Sequence, residues 1–255
     1  MIALTRIGLL ALFLLLWQGL ALHMPNGLFA TPLQTLAAAR ELLFTAKFWS
    51  AVGQSLRVYL LGLGLAAVVG IAFGVLLGTI PFLRRAFDPF INALAATPRV
   101  AFVPLIIVLL GLGLSAKVFI VFLGALMPIL LNTITGVRAA DQDLVEMARS
   151  FGKGPWQIFK GVVLPNAQPF LLTGLRIGAT IGLINTVVAE LYTAVSGLGG
   201  LLSTYGSRFR MAEYFVVVLT LCVIGICVTE SLRALETRLT RWKNDRRSPD
   251  QKGKP

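Results

Sequence analysis

The sequence predicts an all-α protein that crosses a membrane about six times. Three observations predict it. First, 56% of the 255 residues are hydrophobic and 13% are charged, with a mean hydropathy of +0.82. Soluble domains carry roughly 25% charged residues, so this chain has too little polar surface to cover a water-facing globule. Second, apolar runs long enough to cross a bilayer recur along the whole chain. Third, Lys and Arg gather at the ends of those runs, as expected where they set membrane orientation.

The predicted spans are Ile7 to Leu22, Leu56 to Ile80, Phe90 to Leu112, Val118 to Val137, Phe170 to Tyr192 and Tyr214 to Leu235. Each is long enough to cross at a rise of about 1.5 Å per residue. Pro98 and Pro104 fall inside the third and are expected to kink it. The first span could be mistaken for a signal peptide with Arg6 as its basic region. No Ala-x-Ala-like cleavage site precedes Pro25 and the run is long, so it is expected to be retained.

Between the first two spans, Leu33, Leu36, Ala37, Leu43, Phe44 and Phe48 repeat at near-helical spacing, and Pro32 sits where a first helical residue would. This predicts an amphipathic helix on the outer interface. The chain then divides into residues 1–55, a core of 56–237 containing a polar loop at 141–165, and a basic tail of 238–255.

The net charge is +12. The basic residues do not sit on a soluble domain, which argues against nucleic acid as a partner. With the N-terminus inside, the inner segments hold fifteen Lys and Arg and the outer segments six. That asymmetry places both termini in the cytoplasm. Arg99 and Arg176 lie within spans. Cys222, Cys227 and the lone His23 show no metal-ligand spacing, so no metal site is expected.

Small residues recur every fourth position at Gly62, Ala66, Gly70, Gly74 and Gly78, and again at Gly174, Gly178 and Gly182. Such faces let helices approach closely in lipid. They fit packing within one subunit, or a fifth helix that lines a subunit interface or pathway. Few polar residues lie in the spans, and ionisable ones there are functional candidates by default. Thr97, Asn132, Asn185 and Glu190 are the pathway candidates. Arg176 can snorkel to the cytoplasmic interface, and Glu190 lies near the outer end of its helix. No carboxylate chain suited to a proton-coupled pump is visible.

The loop between the fourth and fifth spans carries the most specific pattern. Asp143 followed by Glu146 reads as a capping-box-like start. Gly152 fits a helix stop, and Pro155 fits the first turn of a second short helix. The expectation is two short helices joined at a glycine bend outside the bilayer. Their apolar residues include Leu144, Val145, Met147, Phe151, Trp156 and Ile158. A cytoplasmic surface of that kind suits a connector on lipid, or a helix-in-groove contact with another protein.

Glu146, Met147 and Ala148, then Gly152, then Val162, Leu164 and Pro165 resemble the EAA motif of ABC importer permease subunits. That pattern is Glu-Ala-Ala, three residues, Gly, nine residues, then Ile-x-Leu-Pro. Met147 and Val162 are its departures here, and the spacing fits throughout. Residues 98–113, and Glu190 followed by Gly197-Leu198-Gly199-Gly200, are similar to permeases of the sulfonate, taurine and nitrate importer group.

The resemblance implies a type I importer permease fold. It implies transport of a small solute such as an aliphatic sulfonate, taurine or nitrate. The partners it implies are two copies of an ABC ATPase, a second permease copy in a homodimer, a periplasmic binding protein and membrane lipid. Glu146, Met147, Ala148, Ser150, Phe151, Gly152, Leu164 and Pro165 would couple to the ATPase. Ala148 and Gly152 would permit its close approach, and Leu164 and Pro165 would fix the exit toward the fifth span. ATP and Mg would bind the partner, leaving this chain without cofactor or catalytic residue in the bacterial inner membrane. The chain contains no Gly-x-x-x-x-Gly-Lys-Ser/Thr phosphate loop. A secondary, ion-coupled carrier is the alternative. It would be expected to show internal repeats, and none is evident. An exporter permease is a closer rival, but exporters do not usually carry this loop.

Overall fold

A computed structural model describes residues 2–24, 28–194 and 196–239. The basic tail falls, beyond residue 239, outside the described residues. The elements are α1 (Ile2–His23), α2 (Pro32–Leu42), α3 (Ala46–Thr79), α4 (Pro81–Ala96), α5 (Val103–Leu110), α6 (Leu114–Arg138), α7 (Gln142–Ser150), α8 (Pro155–Ile158), α9 (Leu164–Thr193), α10 (Gly197–Ser207) and α11 (Met211–Leu239). A 3₁₀ turn covers Arg99–Phe102 and a π turn covers Phe159–Val163. No strand occurs among the described residues. Among the described residues five helices are long and apolar enough to cross a membrane, or six crossings if the bent pair α4–α5 counts as one.

The chain divides into two compact units. The first takes the residues up to Arg57 together with Val187–Ile224. Its core includes Phe48, Val52, Leu198, Leu201, Leu202 and Val217. α2 starts at Pro32 behind a reciprocal cap. The Thr31 hydroxyl accepts from Gln34 N–H at 3.2 Å, and the Gln34 side chain accepts from Thr31 N–H at 2.9 Å. α10 is an eleven-residue helix whose Leu198, Leu201, Leu202 and Tyr205 are buried. At about 1.5 Å per residue it is too short to span a bilayer.

The second unit takes Val58–Thr186 and the residues from Gly225. α6 is its centre. A Cβ at Gly62, Gly74 or Gly78 would lie 2.5, 2.5 or 2.7 Å from the Cβ of Val121, Thr133 or Val137. Each partner lies 59 residues further along the chain, so α3 and α6 run parallel at a constant register. Ala66 and Ala125 keep that offset in the same packed cluster. The glycines of α9 close on α6 in the opposite order. A Cβ at Gly174 would lie 2.8 Å from Asn132 Cβ, and one at Gly178 would lie 2.8 Å from Ile129 Cγ1. α6 and α9 are therefore antiparallel. Both small-residue faces are filled by α6 of the same chain, which is the plainer of the two uses their spacing allows. Gly182 is looser, with its nearest neighbour 3.5 Å away.

Parallel α3 and α6 require the chain between them to return. α4 and α5 make that return, but not as the single kinked helix expected over 90–112. The two segments meet at 84°. Thr97 precedes Pro98, whose ring excludes the helical conformation there, and Thr97 is extended at φ −76°, ψ 133°. Pro104 does not kink anything. It sits in the first turn of α5, where its missing N–H costs nothing. Outward-facing Phe13, Val108, Leu109 and Val223 are all more than half exposed, as suits helices whose solvent is lipid.

Candidate functional site

The loop of residues 141–165 lies in the second unit. α7 starts one cap earlier than Asp143 and Glu146 suggest. Asp141 is the N-cap, and its Oδ1 accepts from Asp143 N–H at 3.0 Å. α7 stops as expected at Gly152, which is left-handed at φ +74°. Gly152 N–H donates to Arg149 O at 2.8 Å and Lys153 N–H to Ala148 O at 3.1 Å. This pair of bonds closes a Schellman motif, which favours glycine at the turn.

The second short helix is not separate. Pro155 opens α8, with the Gln157 side chain accepting from Gly154 N–H at 3.1 Å. α8 then runs through the π turn into α9. Pro165 has no N–H for Gly161 O, and its ring would clash with that carbonyl in a regular helix. A π turn over Phe159–Val163 precedes it, with Leu164 N–H donating to Phe159 O, so the regular helical ladder is already interrupted where Pro165 enters. The fifth span and the second half of the loop thus form a run of helix over Pro155–Thr193.

The loop has two faces. Val145, Ala148 and Ile158 are buried against one another, with Val162 and Val163 packed on them. Glu146, Met147, Ser150, Phe151 and Gly152 are exposed. Phe151 is 78% exposed and Trp156 73%. Trp156 stacks on Phe159 with ring centroids 5.7 Å apart. Ala148 is on the inner face, so its small size serves the loop's own packing rather than the close approach of a partner. Leu164 and Pro165 are half-buried in the first turn of α9. Trp156, absent from the expected coupling set, is among the loop's most exposed apolar side chains.

The pathway candidates fall into both units. In the second, each is turned onto a carbonyl one turn back in its own helix. Thr97 Oγ1 donates to Ala93 O at 2.7 Å, Asn132 Nδ2 to Pro128 O at 2.8 Å and Asn185 Nδ2 to Ile181 O at 2.8 Å. No hydrogen bond among the described residues joins these three to each other. Pro128 leaves the Gly124 carbonyl without its helical donor. Arg99 Nη1 reaches that oxygen at 3.3 Å, while Nη2 meets Ala95 O at 3.5 Å. Arg99 therefore serves both the end of α4 and the proline gap in α6. Arg176 does not snorkel alone, since its Nη1 pairs with Glu236 Oε2 at 3.0 Å.

Glu190 belongs to the first unit and is 1% exposed. Ser55 Oγ lies 2.8 Å from both of its carboxyl oxygens, and Gly199 N–H donates to Oε2 at 2.9 Å. The same Ser55 oxygen accepts from Leu198 N–H at 2.8 Å. Gly197 is left-handed at φ +84°, and a Cβ there would collide with the carboxyl group. A Cβ at Gly199 would lie 2.5 Å from Glu190 Cβ. This explains the glycines that follow Glu190 at a fixed distance. Ser55 was not among the sequence candidates, and nothing within the sequence near it marks the role. A polar recess of about 270 Å³ lies beside α10, lined by Lys47, Ser50, Gln54, Ser196 and Thr204 among others.

Residues 68–241 match the family described as the binding-protein-dependent transport system inner membrane component. The chain is similar to the taurine transport system permease protein TauC of Escherichia coli K12, 31% identical over 94% of this chain and 90% of the relative. It is also similar to the putative aliphatic sulfonates transport permease protein SsuC of Bacillus subtilis, 29% identical over 84% and 78%. Its fold is similar to that of a chain of the MetNI methionine ABC transporter in an inward-facing conformation. The TM-score is 0.65 at 21% identity, covering 74% of this chain and 94% of that one. The chain belongs to the binding-protein-dependent transport system inner membrane component family, as a multi-pass inner-membrane permease subunit of an ABC importer.

Proposed function

We propose that the outer face of the 141–165 loop docks an ABC ATPase, and that two permease copies and two ATPases form the working importer. The observation that carries this reading is an exposed apolar face held over a packed one. Met147 and Phe151 project from α7 and Trp156 from α8, while Val145, Ala148 and Ile158 lock the two helices together beneath them. Leaving large apolar side chains in water is unfavourable by roughly 25 cal/mol per Å². A groove on a partner removes that cost. ATP and Mg bind the partner, and this chain supplies no cofactor site. A periplasmic binding protein delivers the solute, and both termini lie in the cytoplasm, as the Lys and Arg asymmetry favours.

The solute is a small molecule such as an aliphatic sulfonate, taurine or nitrate. What supports this is the naming of two relatives as taurine and sulfonate permeases. Coupling then follows from linkage. The ATPase pair and the loaded binding protein each favour one of two permease states, so each biases the other's binding.

The experiment replaces Phe151 with Asp. Copurification with the cognate ATPase is expected to fall about tenfold, the equivalent of roughly 1.4 kcal/mol, with membrane insertion unchanged. Wild-type copurification together with wild-type ATP hydrolysis sinks the docking role. Ligand screening of the binding protein encoded beside this permease tests the solute, and tight binding of a sugar with no response to sulfonates, taurine or nitrate would rule this reading out.

A further inference from the structure

Glu190, a pathway candidate by sequence, and Ser55 take no part in the coupling surface, and both are buried rather than open to a solute. We propose that Glu190 is a positioning residue for transport: through Ser55 it latches the first turn of α10 to the end of α9 and to α3, so that the three segments move as one body during the cycle. This rests on the reading of the chain as an importer permease.

The chemistry argues for a latch that stays shut. The first amides of a helix have no partner within it. Here Gly199 N–H goes to the Glu190 carboxyl group and Leu198 N–H to the Ser55 oxygen. Opening would leave those amides, the hydroxyl and the carboxyl group to find new partners at positions where Glu190 is 1% and Ser55 4% exposed. Leaving buried polar groups unpaired is far costlier than the bond itself is stabilising. The network is also continuous, from amide to hydroxyl to carboxyl, so its members strengthen one another. Space points the same way. Gly197 and Gly199 leave no room for a side chain between α10 and Glu190. The recess lined by Lys47, Gln54 and Ser196 also touches Gly197 and Gly200, so a fixed α10 keeps one of its walls in place.

The test is amide hydrogen exchange at Leu198 and Gly199. In the permease assembled with its ATPase, protection is expected to agree within about twofold between nucleotide-free and vanadate-trapped states. In the purified permease, Ser55→Ala and Glu190→Gln are expected to raise exchange at these two amides about tenfold. In the complex the same variants are expected to keep their ATPase and to lower ATP hydrolysis to about a tenth. Ser55→Thr, which retains the hydroxyl, restores at least about half of it. Exchange that rises tenfold on trapping overturns the proposal. So does wild-type hydrolysis in both Ser55→Ala and Glu190→Gln. If the wild-type permease retains no ATPase at all, the ATPase-docking reading fails, and the purified variants still judge the latch.

Discussion

The loop after α6 and the turn after α9 both combine a carboxyl group, a helix start and a left-handed glycine, with opposite results. In the loop, Asp141 caps its own helix from two residues away, and large apolar side chains are left outside. In the turn, Glu190 reaches a hydroxyl 135 residues away in sequence, and polar groups are hidden inside. A packed frame that leaves Phe151 and Trp156 in the open is suited to contact. A buried network with its polar atoms engaged is suited to holding shape. The same residue types therefore serve recognition in one place and rigidity in the other.

The contrast can be broken most severely at the turn. Gly197→Val forces a β-branched residue into a left-handed conformation and drives its side chain into Glu190. A loss of about 3 kcal/mol or more is expected, read as a large drop in melting temperature in detergent. An unchanged melt would mean that α10 is not held as described. The next test sets the loop's two faces against each other. Ala148→Asp puts an unpaired carboxylate into the buried contact with Ile158 and is expected to cost about 3 kcal/mol. Phe151→Asp, on the exposed face, is expected to change stability by no more than about 0.5 kcal/mol. Equal melting of the two variants would erase the distinction between the faces.

Gly74→Val sharpens the packing account. It overfills the contact with Thr133, for an expected cost of about 1–3 kcal/mol. Gly53→Ala makes the control, since a Cβ there meets nothing within 4 Å. The smallest expected effect is at the proline gap. Arg99→Met leaves the Gly124 carbonyl without its donor and is expected to cost about 1 kcal/mol, measured by chemical unfolding in mixed micelles.

These regions also differ in how far the sequence discloses them. α7 was legible because its stop and the start of α8 are local: Gly152 and Pro155 act on their immediate neighbours. Even there, the pattern favours Asp143 as the cap and the structure uses Asp141, because the two are equally capable acceptors by type. The outer and inner faces were not separable, since Met147 and Ala148 are adjacent and only the packing of Ile158 tells them apart. The third span was legible as apolar, but its proline gave no measure of how far the chain turns. The glycine stripes disclosed close packing without naming a partner. The constant offset of 59 residues between α3 and α6 emerges only from contacts. Ser55 was invisible because its partner is distant in sequence and a serine in an apolar helix carries no distinctive pattern.

The most direct measurement is site-specific crosslinking of the loop to the ATPase. Cys222 and Cys227 are exposed and would first be replaced by Ser. A cysteine is then placed by Phe151→Cys on the outer face, or by Ala148→Cys on the inner face as control. With a maleimide–benzophenone reagent, whose maleimide takes the introduced thiol and whose photoactivated ketone inserts into a nearby C–H bond, Phe151→Cys is expected to give a permease–ATPase adduct whose yield changes with nucleotide, and Ala148→Cys little or none. No adduct from Phe151→Cys in a complex that still hydrolyses ATP would contradict the assignment of this face to the ATPase.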